Sequence, residues 1–518
     1  MAKTSNNNKH ANYGKNINNS EKTDNICDSN GNEPLPRTEE IIFSGLVLKK
    51  DYILLKRIGH GNNAGVWMVY QISTKKFMAM KVQDYQCYND GCREIAIIKK
   101  INEYCKNNPT IESYCIKMLD FFVYEDADNV KFVCSIYDLY AGSIQMLLNN
   151  GKYKYGLPIN VVKNITKQLL KALEILHDKL NVIHTDVKPE NILFKGLPDK
   201  HVEIIKLFDI EKFTKKYENI LAMHSKDEHN FLDELDALAM ESVDKICKLE
   251  SIDEGSEELQ VDEDSENEDF FSDEDDEFIE GEYDEDDSDE NDDNIIFNQR
   301  DQSINDIVEH LDYQDIHNLD ASDETDYDFV SVLNNRETTT DFVQVIDDKY
   351  ITQCETALTD FGNSYFYKSR TRNEIQDRRY RAPEVILNLN YGYACDIWSV
   401  GCIVFELLTG FPLFDPNDNP INKDIHHLYL IEKMLGSIPF DMKKRSDRKK
   451  FLFDRERKYH IKNVAYFLQV PIEERLINQF LFDEKDAKEI IDFLMCGLCL
   501  KPEERWTAAE MLTHKWLN

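Results

Sequence analysis

IHTDVKPENILF, residues 183–194, sets Asp186, Lys188 and Asn191 in a short polar stretch between two apolar flanks. Flanks of that kind bury themselves, so the polar residues between them are held on a loop with a fixed place in the fold. Each of the three brings a different chemistry. Asp186 can accept the proton of an attacking hydroxyl, Lys188 can neutralise charge on a transferring phosphoryl group, and Asn191 can ligate magnesium.

The sequence on either side supplies the complement. Downstream, LTDFGN (358–363) offers Asp360 as the main magnesium ligand, and YRAPEV (380–385) follows it. Upstream, RIGHGNNAGVWMVY (57–70) sets Gly59 and Gly61 between strand-like runs, ahead of Val66 and Trp67. Glycines at this spacing let the backbone fold tightly over a polyphosphate and offer amides to it. A lone Gly-x-Gly is weak evidence, because ordinary turns use glycine as well. It gains weight from FMAMKV (77–82), which puts Lys81 at the end of an apolar strand. A lysine flanked by Ala79 and Val82 is half-buried and needs a partner, since an unpaired buried charge is costly. Glu94, in GCREIAIIKKI (91–101), sits where apolar residues recur at helical spacing. Taken alone it reads as a solvated helix charge; beside the other motifs it becomes the partner of Lys81.

Five motifs in this order resemble a eukaryotic-type protein kinase. The likeness runs through nearly all of two globular stretches, 49–200 and 351–518. It implies an α+β, bilobal protein kinase fold. A small, mostly antiparallel β lobe would span 49–139, and a larger α-helical lobe would come in two parts, 140–209 and 346–518. A long acidic disordered insert, 210–345, would separate those parts. ATP and Mg2+ are the implied cofactors. Asp186 and Lys188 would be catalytic, and Asn191 and Asp360 would hold the metal. The nucleotide would lie against Ile58, Gly59, His60, Gly61, Asn62, Asn63, Ala64, Gly65 and Val66. Lys81, Glu94, Tyr137 and Leu139 would complete its site, with the linker at Tyr137, Asp138 and Leu139 against the adenine. Asp396 and Trp398 would brace the catalytic loop, and Arg505 would pair with Glu384.

Finer features are similar to the SR-protein kinases. The loop reads His184-Thr185-Asp186 where most protein kinases have arginine in the middle, and Ala64 stands where a third glycine is usual. A polar insert follows NILF, Asn363 follows the glycine of LTDFGN, and IQDRRYR precedes Ala382. That subfamily phosphorylates serines in Arg-Ser repeats, so the resemblance implies a basic, Arg/Ser-rich protein substrate. Two features revert to the general kinase form: Ala382-Pro383 in place of Ser-Leu, and Phe361 in place of leucine. The subfamily's acidic docking groove is matched here only by Asp415, Asp418 and Asp424. Just beyond it, KKRSDRKKFLFDRERK (443–458) is strongly basic, read as a solvated helix face or as a dock for the acidic insert. A serine/threonine kinase of other substrate preference and a pseudokinase scaffold are the alternatives. The scaffold is disfavoured because Lys81, Asp186, Asn191 and Asp360 are all present. Thr185 also implies activity without a phosphate on the activation segment, since an arginine there is the usual phosphate partner.

Composition sets the outer bounds. The chain has 518 residues, 61 Lys+Arg against 98 Asp+Glu, and a net charge of −37. Residues 201–350 hold 51 of the acids and 10 of the bases, so the other 368 residues carry +4. The acidity is therefore one segment, with no basic face for nucleic acid. Like-charge repulsion keeps such a segment solvated, although HNFLDELDALAM near its start suits a short docking helix. Ser265 and Ser272, each followed by acids, suit acid-directed kinases. The Asn/Lys/Ser-rich residues 1–48 read as a disordered tail. No apolar run reaches the ~18 residues of a membrane span, and no signal peptide opens the chain. Twelve scattered cysteines read as reduced thiols, with Cys496 and Cys499 expected in the core. An intracellular monomer, cytoplasmic and nuclear, follows as the expectation.

Overall fold

The computed structural model describes residues 44–61, 64–83, 85–125, 130–149, 152–224, 228–249, 348–369, 374–416, 422–462 and 470–518. Strands β1 (Val47–Leu48), β2 (Tyr52–Gly61), β3 (Ala64–Gln71) and β4 (Lys76–Gln83) open the small lobe. Their side chains alternate between faces, as strand geometry requires. Met68, Tyr70, Phe77 and Ala79 point into the main core, whereas Trp67, Val69, Met78 and Met80 build a separate cluster on the opposite face. Helix α1 (Tyr88–Asn107) buries Ile95, Ile97, Ile98 and Ile101, the apolar stripe legible in its sequence. With β5 (Met118–Glu125) and β6 (Lys131–Tyr137) the antiparallel sheet has the order β1-β2-β3-β4-β6-β5.

The large lobe begins with β7 (Tyr140–Ser143) and α2 (Ile159–Glu174), followed by β8 (Val182–Ile183) and β9 (Ile192–Lys195). Next come α3 (Asp199–Leu207), α4 (Ile210–Met223) and α5 (Glu228–Val243). These last two helices correct the expectation that the whole of 210–345 is a solvated, disordered insert. Asp209 caps α4 by accepting from the Lys212 amide at 2.9 Å. Lys212 and Lys216 pair with Glu241, which ties α4 to α5. Phe208 and Phe213 are buried against Tyr70 and Phe77 of the small-lobe sheet, with ring centroids 4.7–5.9 Å apart. Leu235, Leu238, Ala239, Val243 and Ile246 are buried as well. Gly45, at φ +85°, lets α5 approach: a Cβ there would lie 2.5 Å from Met240 Sδ. The buried Lys56 of β2 donates to the Leu249 carbonyl at 2.8 Å. The acidic runs begin only beyond residue 250, so charge repulsion never opposed folding of 210–249. The docking helix foreseen at HNFLDELDALAM is part of α5. Residues 250–347, with Ser265 and Ser272, lie outside the described residues, as do 1–43 of the N-terminal tail.

The chain resumes with β10 (Thr356–Leu358) and β11 (Tyr365–Phe366). β10 pairs with β9 and β11 with β8, so residues 184–191 and 359–364 are two loops anchored on adjoining ribbons. Helix α6 (Ala394–Thr409) is buried on every side, as expected of a helix apolar all round. Gly410 ends it at φ +78°, where a Cβ would lie 2.1 Å from the Lys154 carbonyl oxygen. Helices α7 (Lys423–Leu435), α8 (Phe440–Arg445), α9 (Glu484–Gly497) and α10 (Ala508–Leu512) complete the lobe, and β12 (Phe453–Asp454) pairs with β13 (His460–Ile461).

Two further expectations change. The basic stretch 443–458 is only partly a solvated face. Lys443 is buried and pairs with Glu432 at 2.7 Å, and Arg448 reaches Asp424 at 2.6 Å. Cys496 and Cys499 are half-buried rather than core residues. Their thiols donate to the Asp492 carbonyl and to Glu504.

Candidate active site

Lys81 on β4 is the hub. Its Nζ donates to both Glu94 oxygens, at 2.9 and 2.8 Å, and to Asp360 Oδ1 at 2.9 Å. Burial works against the ammonium, but Glu94 and Asp360 outweigh it and hold the pKa of Lys81 above its ordinary value. The same lysine holds Asp360 below the usual carboxylate range. Three elements distant in sequence (β4, α1 and the loop after β10) are thus joined by one cation.

The loop 184–191 is built around Asp396, fully buried at the start of α6. Asp396 accepts from the amides of His184 and Thr185, both at 2.8 Å, and bonds His177 Nε2 at 2.9 Å. Thr185 has φ +69°, a conformation rare for a β-branched residue and costing on the order of 1–3 kcal/mol. The Asp396 carboxylate offsets that strain. The turn projects Asp186 toward Lys188 and Asn191: Lys188 Nζ lies 3.1 Å from Asp186 Oδ2, and Asn191 Nδ2 donates to Asp186 O at 2.8 Å and Oδ2 at 3.2 Å. Asp186 and its hydrogen bonds keep Lys188 charged against the pull of burial.

The second loop is tied to the first by three hydrogen bonds. His184 Nε2 bonds the Thr359 carbonyl at 3.0 Å, Thr185 Oγ1 donates to Asn363 O at 2.6 Å, and Ser364 Oγ donates to His184 O at 2.9 Å. Asp360 also sits at positive φ, +63°. Farther back, Arg505 pairs bidentately with Glu384, at 2.6 and 2.7 Å, both side chains fully buried. Arg505 lies over Trp398 at 4.9 Å.

Of the residues singled out in the sequence, Lys81, Glu94 and Asp360 converge on one another, and Asp186, Lys188 and Asn191 form an adjoining group. Ile58, Gly59, His60 and Gly61 end β2 and Ala64, Gly65 and Val66 begin β3, in register Gly59↔Val66, His60↔Gly65, Gly61↔Ala64. Asn62 and Asn63 lie outside the described residues. Tyr137 ends β6 opposite Ala79, buried within electrostatic reach of Lys81 and Glu94. It is an inner wall, while Leu139 lies on the linker between β6 and β7.

The oxygens present suit a hard divalent cation. Asn191 turns its amide nitrogen to Asp186, which leaves its carbonyl oxygen for a metal, and Asp360 keeps an ionised carboxylate. The sequence reading missed Gln376, buried at φ +67°. It donates to Ser399 Oγ and the Cys395 carbonyl and accepts from the Ala382 amide. It missed Arg93 too. No local signal marks either one, because their partners are fixed only by folding. In the docking region, Asp415 pairs with Arg379 at 2.9 Å, and Asp424 is taken by Arg378 and Arg448; Asp418 lies outside the described residues.

Known proteins support the same reading. The protein kinase domain family matches residues 52–220 and 347–517. A protein of Acanthamoeba polyphaga mimivirus named as a serine/threonine-protein kinase is 53% identical over 494 residues, covering 93% of this chain and 89% of that one. Protein kinase dsk1 of Schizosaccharomyces pombe is 27% identical over 488 residues, 90% of this chain and 80% of its own. Human SRSF protein kinase 3 is 25% identical over 536 residues, 92% and 87% of the two chains. The chain belongs to the protein kinase family, as a protein serine/threonine kinase.

Proposed function

We propose that this kinase transfers the γ-phosphate of ATP, with Mg2+, to serines of basic, Arg/Ser-rich proteins. Asp186 orients the hydroxyl and accepts its proton, and Lys188 neutralises the moving phosphoryl group. Lys81, held by Glu94, anchors the nucleotide phosphates under the hairpin Ile58–Val66, and Asn191 and Asp360 hold the metal. Tyr137 and Leu139 bound the adenine end. Positioning and charge neutralisation supply the rate, so removal of any one group costs orders of magnitude.

One observation supports the basic substrate: Glu190 and Asp377 lie within electrostatic reach of both Lys188 and Glu406. Burial, with Glu190 and Asp377 close by, pushes Glu406 up to about 7 even though Tyr380 donates to it. Burial raises Glu190 as well, with Asp377 and Asp186 adding to the effect and Lys188 opposing it. Burial and the neighbouring carboxylates both disfavour the charged form of Glu190 and Glu406, and a substrate guanidinium would supply the missing countercharge. The acids expected in the docking groove do not carry this argument, since Asp415 and Asp424 are already paired. An intracellular monomer acting on proteins, in cytoplasm and nucleus, belongs to the same proposal.

The test is magnesium-dependent labelling of an Arg-Ser peptide and an acidic serine peptide, with Asp186→Asn as the blank. Preference for the Arg-Ser peptide, cut about tenfold in kcat/KM by Glu190→Gln, supports the proposal. Preferential labelling of the acidic peptide overturns the substrate class.

A further inference from the structure

The helix that carries Glu94 is fastened at two points to the strand that follows Asp360. Arg93 Nη1 donates to the Gly362 carbonyl at 3.1 Å, and Nη2 pairs with Asp90 at 3.0 Å. The same guanidinium lies 4.9 Å from the centre of the Tyr365 ring. Seven residues on, about two turns along the same face of α1, Lys100 Nζ lies 4.0 Å from the centre of the Phe366 ring. Tyr365 and Phe366 are the whole of β11, whose partner strand β8 leads straight into His184 and Thr185.

We infer that Arg93 and Lys100 are positioning residues: a pair of cations that clamps α1 onto β11 and so holds Glu94 against Lys81 without any phosphate. The argument rests on the proposed roles of Lys81, Glu94 and Asp360. Glu94 is adjacent to Arg93, so rotation or withdrawal of α1 that breaks the Gly362 bond also moves the Glu94 carboxylate off Lys81. The aromatic faces suit the task because a ring attracts a cation without needing a charge of its own. Ser364, the serine nearest the clamp in sequence, is fully buried and donates to His184 O, so it is closed to modification in this arrangement. A surface ion pair alone would be too weak and too salt-sensitive to fix a helix. Here a carbonyl bond and a ring act on one guanidinium, which Asp90 of the same helix orients, and a second ring acts two turns away.

A merely stabilising pair of contacts would lower the melting temperature and leave the kinetics of the folded enzyme intact. The clamp predicts the reverse. The exposed Lys100 can be changed without threatening the fold, so Lys100→Ala is the first variant and Arg93→Ala the second. Each should lower kcat on the peptide about tenfold, with near-native thermal unfolding. Arg93→Lys should recover part of the loss, since it retains a cation over Tyr365. Phe366→Leu, which retains bulk and removes the ring face, should reproduce Lys100→Ala, and the double variant should be no worse than either single one. Native kcat in both Lys100→Ala and Arg93→Ala overturns the clamp, as does full additivity of Lys100→Ala with Phe366→Leu. Absence of phosphotransfer by the unaltered protein would sink the proposed function itself, a separate result.

Discussion

Phe213→Ala tests whether the helical hairpin α4–α5 is part of the kinase core. The Phe213 ring is 2% exposed and meets Tyr70, Phe208 and Tyr217 at centroid distances of 5.7, 5.4 and 6.1 Å. Truncating a buried phenylalanine removes its transfer free energy and leaves a cavity, about 3–5 kcal/mol in all. The site lies at the edge of the core, where α4 can settle into the space, so the lower figure applies: about 3 kcal/mol, or roughly a hundredfold in the folded-to-unfolded ratio. Denaturant unfolding should show a lowered midpoint with an unchanged slope, because Phe213 belongs to an apolar cluster that draws on described elements from β2 onward. Hydrogen exchange should quicken in β3 and β4 as well as in α4. The companion is a pair of deletions. Replacing 255–340 by a flexible linker should preserve stability and peptide kinase activity. Extending the deletion back to residue 215 should cost both, because it removes α5 and the part of α4 that carries Tyr217, uncovering Phe213 and stranding Lys56. An unfolding free energy for Phe213→Ala within about 0.5 kcal/mol of native, or full activity for the longer deletion, would refute the reasoning and restore the solvated-insert reading for 210–249.

Other outcomes follow from single contacts. Phosphatase treatment of the pure enzyme should leave most activity, because Thr185 bonds Asn363 O where other kinases place an arginine for a phosphate; loss of most activity would contradict this. Thr185→Val should cost about 1 kcal/mol and a measurable share of kcat, by leaving that carbonyl unpaired. Glu406 holds its proton up to about 7 in the folded state against 4.5 unfolded. Between those values the native state binds more protons, so its stability falls as pH rises, by at most about 3 kcal/mol in total. Glu406→Gln should flatten that dependence in melting temperatures taken from pH 4.5 to 8, and an unchanged slope would show the group is not responsible. Glu384→Gln should lower stability by about 3–5 kcal/mol by stranding the buried Arg505; denaturant titration reads this directly.

The chemistry was legible because it is written in short, ordered motifs. Asp186, Lys188 and Asn191 fall within six residues of one another, so one loop delivers all three. The Lys81–Glu94 pairing was inferable from a half-buried lysine that needed a counterion, and the Glu384–Arg505 pair from likeness to the family. Composition misled where it averaged. Residues 210–249 share the averaged acidity of the segment only through charge that lies beyond them, while Phe213, Tyr217 and Ile220 recur at helical spacing and pack on the core. The acids of FDPNDNPINKD misled for another reason. A carboxylate counts toward a groove only if nothing nearby neutralises it, and Asp424 meets Arg378 and Arg448.

Likeness to the kinase family implied the two-lobed plan, and by itself the sequence determined the identity and order of the candidate reacting groups and the place of the interruption. These depend on residue type and local periodicity, which spacing along the chain preserves. Only the tertiary structure decided which charges are spent on one another and which remain for a substrate. It also decided that part of the insert closes over the small lobe, and that α1 is clamped to β11. Each of those depends on groups far apart in the chain, as Lys81 and Asp360 are at 279 residues. Bonds of that span are chosen by packing geometry, and local sequence holds no record of them.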